Sequence, residues 1–228
     1  MIPWLHLDTA EVPDGGGTLR LMRRGAEFSI TAGATELMNS RLSGSEEALA
    51  ALAGARLGAS PAPRILIGGL GMGFTLRAAL AAFGPEARIV VAELVPAVIA
   101  WARGPMAALH GDSLADPRLD LWTGDVGARI RAEADGFDAI LLDVDNGPDG
   151  LTRPANDALY DPAGLRAALR ALRPGGLLAV WSSAPDAAFT QRLKRGGFAV
   201  EEVRVRANGK RGGARHVIWV ATKAARRA

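Results

Sequence analysis

The sequence predicts an α/β fold: a doubly wound, seven-stranded sheet with an antiparallel last strand, preceded by a small N-terminal β-hairpin element. Three observations carry this prediction. From residue 64 onward, short runs that are apolar throughout, such as RILIGG (64–69) and FDAILLDV (137–144), alternate with stretches of helical composition. Strands apolar on both faces are those of a parallel sheet covered by helices on each side, and strand–helix alternation at this spacing marks βαβ units. The chain then closes on FAVEEVRVR and RHVIWVATK, two strand patterns with no helix between them.

The elements follow in order. PDGGG (13–17) is a loop, and residues 18–32 read as two short strands around Arg24-Gly25, with glycine supplying the turn. SGSEEALAALAGARLG (43–58) reads as a helix with Ser45 as N-cap, acids in its first turn and Gly58 at its end. ASPAP (59–63) is the one boundary, dividing a hairpin-and-helix unit (1–60) from a Rossmann-like, nucleoside-binding unit (61–228). Beyond it come a strand at 64–69, a helix at 73–84, a strand at 87–94 and a helix from 96. A strand at 119–124, the helical VGARIRAEA and the strand at 137–144 follow. PAGLRAALRALRPGG (162–176) is a helix closed by Pro-Gly-Gly, and LLAVWSS (177–183) is the fifth strand. A helix at 185–197 leads into the closing pair.

Composition removes several classes of function. The 228 residues are 49% hydrophobic, enough for one large domain with a small appendage. No apolar run reaches the roughly eighteen uncharged residues of a membrane helix, and MIPWLHLDTAEV lacks the basic and apolar regions of a secretory leader. The expectation is a cytoplasmic protein without a membrane partner. The absence of cysteine excludes disulfides and thiolate chemistry. Three scattered histidines (His6, His110 and His216) argue against a histidine metal centre, so no metal is expected. The net charge is +3, concentrated in RVRANGKRGGARH (204–216) and the tail KAARRA. A basic segment can bind nucleic acid, but no aromatic residues interleave with these charges to stack bases. The preferred reading is a solvated loop and tail.

In open α/β sheets, ligands bind beyond the carboxyl ends of the strands. The first tip carries Gly69, Leu70, Gly71 and Gly73, glycines that let the backbone turn tightly and approach a ligand as a helix begins. Phe74 and Thr75 stand where a dinucleotide fingerprint wants another glycine, which places hydride transfer last. At the second tip, Glu93, with Leu94 beside it, can accept both hydroxyls of a ribose. At the third, Asp125 is suited to accept from an adenine amino group while the Val126 N–H donates, and equally to cap the next helix. The fourth is DVDNGPDG, where Asp143, Asp145 and Asp149 gather at the end of a buried strand with Asn146 among them. That concentration of acid suits a cationic substrate, although each residue is also a good turn former.

A glycine loop, Glu, Gly-Asp and Asp at successive tips resemble class I S-adenosylmethionine-binding folds. Within that superfamily the chain resembles the spermidine synthase (aminopropyltransferase) family through ILIGGLGMGFTLRAAL, VVAELVPAVIAWAR, DPRLDLWTGDV and FDAILLDVDNGPDG, across roughly residues 18 to 183. The resemblance implies that Gly69, Gly71 and Gly73 face the methionine-derived part of the co-substrate. It also implies that Glu93 holds the ribose, Asp125 the adenine, and that Asp143 helps deprotonate the attacking amine. The co-substrate implied is S-adenosylmethionine or its decarboxylated form, the acceptor a small-molecule amine, and the assembly a homodimer through the N-terminal region. Two departures stand out. Asn146 occupies the place of the family's second tip-four aspartate, with Asp145 one residue earlier, and the N-terminal helix keeps Glu46 and Glu47 but has Ala and Leu in place of Tyr and His. Asp145, Asn146 and Asp149 are the expected acceptor-side residues. Aminopropyl transfer is the leading expectation. The alternatives are a methyltransferase on a small molecule or nucleic acid, and a non-catalytic nucleoside-binding paralogue. Arg77, one turn into the helix after the glycines, is the cation available to a donor carboxylate.

Overall fold

The computed structural model describes residues 2–58, 60–144, 154–209 and 212–225. Two sheets organise it. The N-terminal one is antiparallel, ordered β1 (Leu5–Glu11), β2 (Thr18–Arg24), β3 (Glu27–Ala32) and β4 (Thr35–Asn39). The expected hairpin is its centre, β2 and β3, which bury Leu19, Leu21, Phe28 and Ile30. Strands β1 and β4 flank that hairpin and make a four-stranded element of it.

The second sheet contains β5 (Arg64–Gly68), β6 (Arg88–Glu93), β7 (Leu119–Thr123), β8 (Phe137–Leu142), β9 (Leu172–Ser182), β10 (Phe198–Arg206) and β11 (Arg215–Lys223). Its order is β10-β11-β9-β8-β5-β6-β7, with β5 to β9 parallel to one another and β11 antiparallel to both β9 and β10. The closing strand is thus antiparallel, as the sequence predicts. The chain starts at β5, winds one way through β6 and β7, then crosses back to β8. The switch in strand order therefore lies between β5 and β8, where an open sheet leaves a crevice for ligands.

Alternate residues of the central strands enter two separate cores. Ile65, Ile67, Ile89 and Val91 pack on the face shared with the N-terminal sheet, while Leu66, Val90 and Ala92 pack on the other. Each fully buried Leu or Ile is worth about 1.5–3 kcal/mol of transfer free energy, so both faces hold the sheet. Helices α1 (Gly44–Leu57), α2 (Phe74–Ala82), α3 (Pro96–Arg103) and the single turn α4 (Ala107–His110) lead the chain to the third sheet strand. Helices α5 (Val126–Arg131), α6 (Pro154–Tyr160), α7 (Pro162–Ala171) and α8 (Ala187–Arg195) follow.

Three local expectations are corrected. Helix α1 is preceded by Ser43 as N-cap rather than Ser45, whose side chain bonds instead to Glu46. The same helix packs on α2 and against β8 and β9, so it covers the large sheet. The helix expected through residue 176 ends at Ala171, because Leu172 already pairs with Phe137 in the sheet. The Pro-Gly-Gly beyond it absorbs a register break in β9, with Gly175 at φ +81°.

Candidate active site

The tips of β5, β6 and β8 and the turn after β7 open into one cavity of about 190 Å³. Leu19, Ile30, Leu37 and Met38 of the N-terminal sheet wall its far side. Gly69, Leu70, Gly71, Glu93, Leu94, Asp125, Val126 and Asp143, all expected at the site, border it together.

The glycine loop is shaped by its neighbours. Gly69 has φ +88°, and a Cβ there would stand 2.7 Å from the Asp143 carbonyl oxygen. Only a residue without a side chain lets the β5 and β8 tips come this close. Gly73 has a different task. It caps α2 at φ +75°, and a Cβ would meet His110 Nδ1 at 2.4 Å, so its bare face packs on a buried histidine and does not border the cavity.

Glu93 ends β6 almost wholly buried, and its carboxylate ties two loops together. Oε2 accepts the Leu70 N–H at 2.9 Å and Oε1 the Val95 N–H at 2.8 Å. Burial pushes its pKa up, and the backbone donors oppose that rise without cancelling it. The Gly71 and Leu94 N–H groups act on the same carboxylate, which borders the cavity. Asp125 caps α5, accepting from the Gly127 N–H at 2.9 Å and the Ala128 N–H at 3.2 Å, and Arg131 reaches it at 3.2 Å. The capping expected of Asp125 is present, and its place on the cavity wall is compatible with a second role.

Asp143 follows β8, its own N–H donating to the Gly68 carbonyl at 3.1 Å. Its Oδ2 accepts the Thr75 hydroxyl at 2.6 Å. Burial, reinforced by the charge of Glu46, pushes the Asp143 carboxyl up to about 7, and the Thr75 hydroxyl only partly opposes this. Glu46 comes from the first turn of α1, and burial raises it as well. Two carboxylates from separate elements therefore face one cavity. Asp145, Asn146 and Asp149 lie outside the described residues.

Two further wall residues, Glu46 and Trp181, and Thr75 bonded behind Asp143 have duties that their local sequence does not report. By its local sequence Glu46 is a first-turn acid answering the helix dipole; only the family resemblance singles it out, together with Glu47. Thr75 reads as a helix body residue. Trp181 reads as core, yet it borders the cavity with an indole N–H that finds no partner among the described residues, edge-on to His216 at 4.8 Å between ring centroids. Arg77 is exposed over the Phe74 ring at 5.2 Å and does not border the cavity. Among the described residues, four carboxylates and no basic side chain line it. None of the described residues forms a cluster suited to a metal ion. The basic hairpin is drawn toward α1 by a bond from the Gly44 N–H to the Ala207 carbonyl at 2.9 Å, and none of its described residues borders the cavity.

No family model matches the chain. A polyamine aminopropyltransferase of Mycobacterium tuberculosis is 34% identical over 145 residues, which is 60% of this chain and 27% of that protein. One from Nitrosomonas europaea is 39% identical over 100 residues, 43% of this chain and 29% of that protein. The matches thus span less than a third of the curated relatives' length. A spermidine synthase solved with the transition-state analogue AdoDATO superimposes with a TM-score of 0.73 at 16% identity, covering 97% of this chain and 73% of its own. The spermidine synthase of Thermotoga maritima gives 0.74 at 17%, covering 97% and 74%. The resemblance to the spermidine synthase family read from the sequence is supported by these relatives, and the fold is that of spermidine synthases.

Proposed function

We propose that this chain is a spermidine synthase-like transferase that binds an adenosyl sulfonium donor and passes its aminopropyl group to a small-molecule amine. One observation carries the reading: two carboxylates with raised pKa values, Asp143 and Glu46, share a cavity that holds no basic side chain among the described residues. Buried acids without a cation are costly, and a cationic ligand is what makes such a pair favourable.

The residues present fit the donor. The bare backbone at Gly69 leaves room for a close approach, the Glu93 carboxylate borders the cavity on the side of the ribose, and Asp125 with the Val126 N–H borders the place of the base. The donor supplies an electrophilic carbon next to a positively charged sulfur. The acceptor nitrogen attacks that carbon with its lone pair, the carbon–sulfur bond breaks, and a neutral thioether leaves. That departure needs no acid, so one base suffices. Asp143, poised near neutrality, takes the proton from the amine and contributes about 10²–10⁴-fold. Confinement of nitrogen and carbon in one cavity supplies a further share.

Calorimetric titration with S-adenosylmethionine, its decarboxylated form and methylthioadenosine, followed by mass detection of alkylated amine, tests the reading. Tight binding of the decarboxylated donor and methylthioadenosine with amine-dependent turnover is expected. Methylated product from the intact donor, or binding of none of the three, overturns it.

A further inference from the structure

Alkylation of an ammonium-type acceptor releases one proton per turnover. The acceptor R–NH₃⁺ gives up a proton, its lone pair forms the new N–C bond, and the product nitrogen keeps two hydrogens and a positive charge. The released proton starts in a cavity where burial makes Asp143 and Glu46 hold protons more tightly than in water. It has to leave before the next cycle.

Ser45 lies fully buried in the first turn of α1, where its Oγ–H donates to Glu46 Oε2 at 2.6 Å. The same Oγ is 2.9 Å from His216 Nδ1, 171 residues away on β11. A hydroxyl has one proton to give. While Ser45 donates to Glu46, it accepts from His216, so that state carries the imidazole proton on Nδ1. The chain also runs in reverse. Once Asp143 has handed the amine's proton to Glu46 across the cavity they share, Glu46 donates from Oε2 to Ser45 Oγ, and Ser45 passes its own proton to Nδ1 of a His216 that carries its hydrogen on Nε2. The half-buried imidazolium so formed then releases its Nε2 proton to solvent. Edge-on packing of Trp181 at 77° to the ring holds the imidazole in place. Burial keeps His216 below its ordinary pKa, so the imidazolium gives its proton up readily.

We propose that Glu46, Ser45 and His216 form the proton exit of the site, carrying the proton of the acceptor amine from the cavity to solvent. This rests on the amine-alkylating reading above. Nothing in the fold requires the arrangement: Ser43 already stands at the N-cap, and the Ser45 hydroxyl bonds between two titratable groups.

The test uses the full chain with the decarboxylated donor and 1,4-diaminobutane. In Ser45→Ala and His216→Ala, kcat is expected to fall on the order of tenfold, part of the general acid–base contribution, with donor Kd and acceptor KM unchanged. Imidazole in the assay restores His216→Ala and leaves Ser45→Ala low. His216→Gln, which can still bond to Ser45 but cannot carry a proton, stays slow. Wild-type kcat in His216→Gln, or a loss in His216→Ala that imidazole does not restore, overturns the relay. A second readout needs no turnover, so it separates failure of the relay from failure of the functional reading. The ¹⁵N spectrum of His216 at pH 9 is expected to show the Nδ1–H tautomer and to lose it in Ser45→Ala. An Nε2–H tautomer in the wild-type chain overturns the hydrogen-bond chain itself.

Discussion

Replacing Asp143 with Asn should make the protein more stable and less active at once. The side chains have nearly the same shape, and the Asn carbonyl can still accept the Thr75 hydroxyl that now donates to Oδ2 at 2.6 Å. What disappears is a charge held in a cavity with no basic side chain among the described residues. The carboxyl is raised from 3.8 to about 7, and at about 1.4 kcal/mol per unit this bounds the cost of ionising it in the fold at roughly 4 kcal/mol. Water in the cavity and relaxation around the charge reduce what is measured, so a gain of about 1–3 kcal/mol is expected. The sign follows from linkage: a carboxyl whose folded pKa is raised favours the fold when protonated. Its contribution is complete below pH 3.8 and is lost as pH rises through about 7. Wild type should therefore lose stability relative to Asp143→Asn between pH 4 and 8, with the two converging at pH 4. With a urea m-value of about 2–3 kcal/mol/M, the variant's midpoint at pH 8 should move up by roughly half to one molar. A midpoint difference that is the same at both pH values, or a variant less stable at pH 8, would refute the electrostatic picture of the site. Turnover of the variant should drop by about 10²–10⁴-fold.

Other substitutions test other parts of the cavity. Thr75→Val removes the hydroxyl that holds Asp143 down, so its pKa rises further and the acidic limb of a kcat/KM profile shifts to higher pH. Gly69→Ala forces a side chain into φ +88° and against the Asp143 carbonyl; a loss of about 1–3 kcal/mol in urea melts is expected, with weaker donor binding. Glu93→Gln turns one of two acceptors toward the cavity loops into a donor, leaving a backbone N–H unpaired at a cost of about 1–3 kcal/mol. Calorimetry should show donor affinity reduced by roughly tenfold or more in the same variant.

How much of this was legible in the sequence depends on what each residue type reports. The strands of the large sheet were readable because burial on both faces leaves uninterrupted apolar runs, as in Ile65 to Ile67 and Ala139 to Leu142. Strand β1 was not, because LHLDTAE is mostly exposed and carries no period-two pattern. The strand tips were legible as a set, since the topology forces β5, β6 and β8 to end at the same edge. Their individual duties were less so. Gly73 looks like its neighbours in the glycine run, but what it faces is His110, 37 positions away, a contact that only tertiary packing creates. Glu46 and Ser45 carried competing local explanations as a first-turn acid and an N-cap. Only the packing of α1 against the large sheet brings Glu46 to the cavity, and only the β11 pairing brings His216 to Ser45.

The same packing bears on which donor the cavity accepts. Intact S-adenosylmethionine carries a carboxylate beside its ammonium group, and decarboxylation removes the carboxylate and leaves the ammonium. Arg77, the nearest cation in sequence, points outward over Phe74 and leaves the wall acidic. A ligand carboxylate about 7 Å from one of these acids would meet a repulsion of about 2 kcal/mol at an effective dielectric near 20. The ammonium group meets an attraction of the same size in both forms, so the carboxylate alone separates them. Calorimetry should therefore favour the decarboxylated donor by at least ten- to a hundredfold, and the preference should shrink in Glu46→Gln and Asp143→Asn. Equal affinity for both donors would mean that backbone N–H groups of the glycine loop outweigh the acidic wall, and the cavity would then be one for methyl transfer.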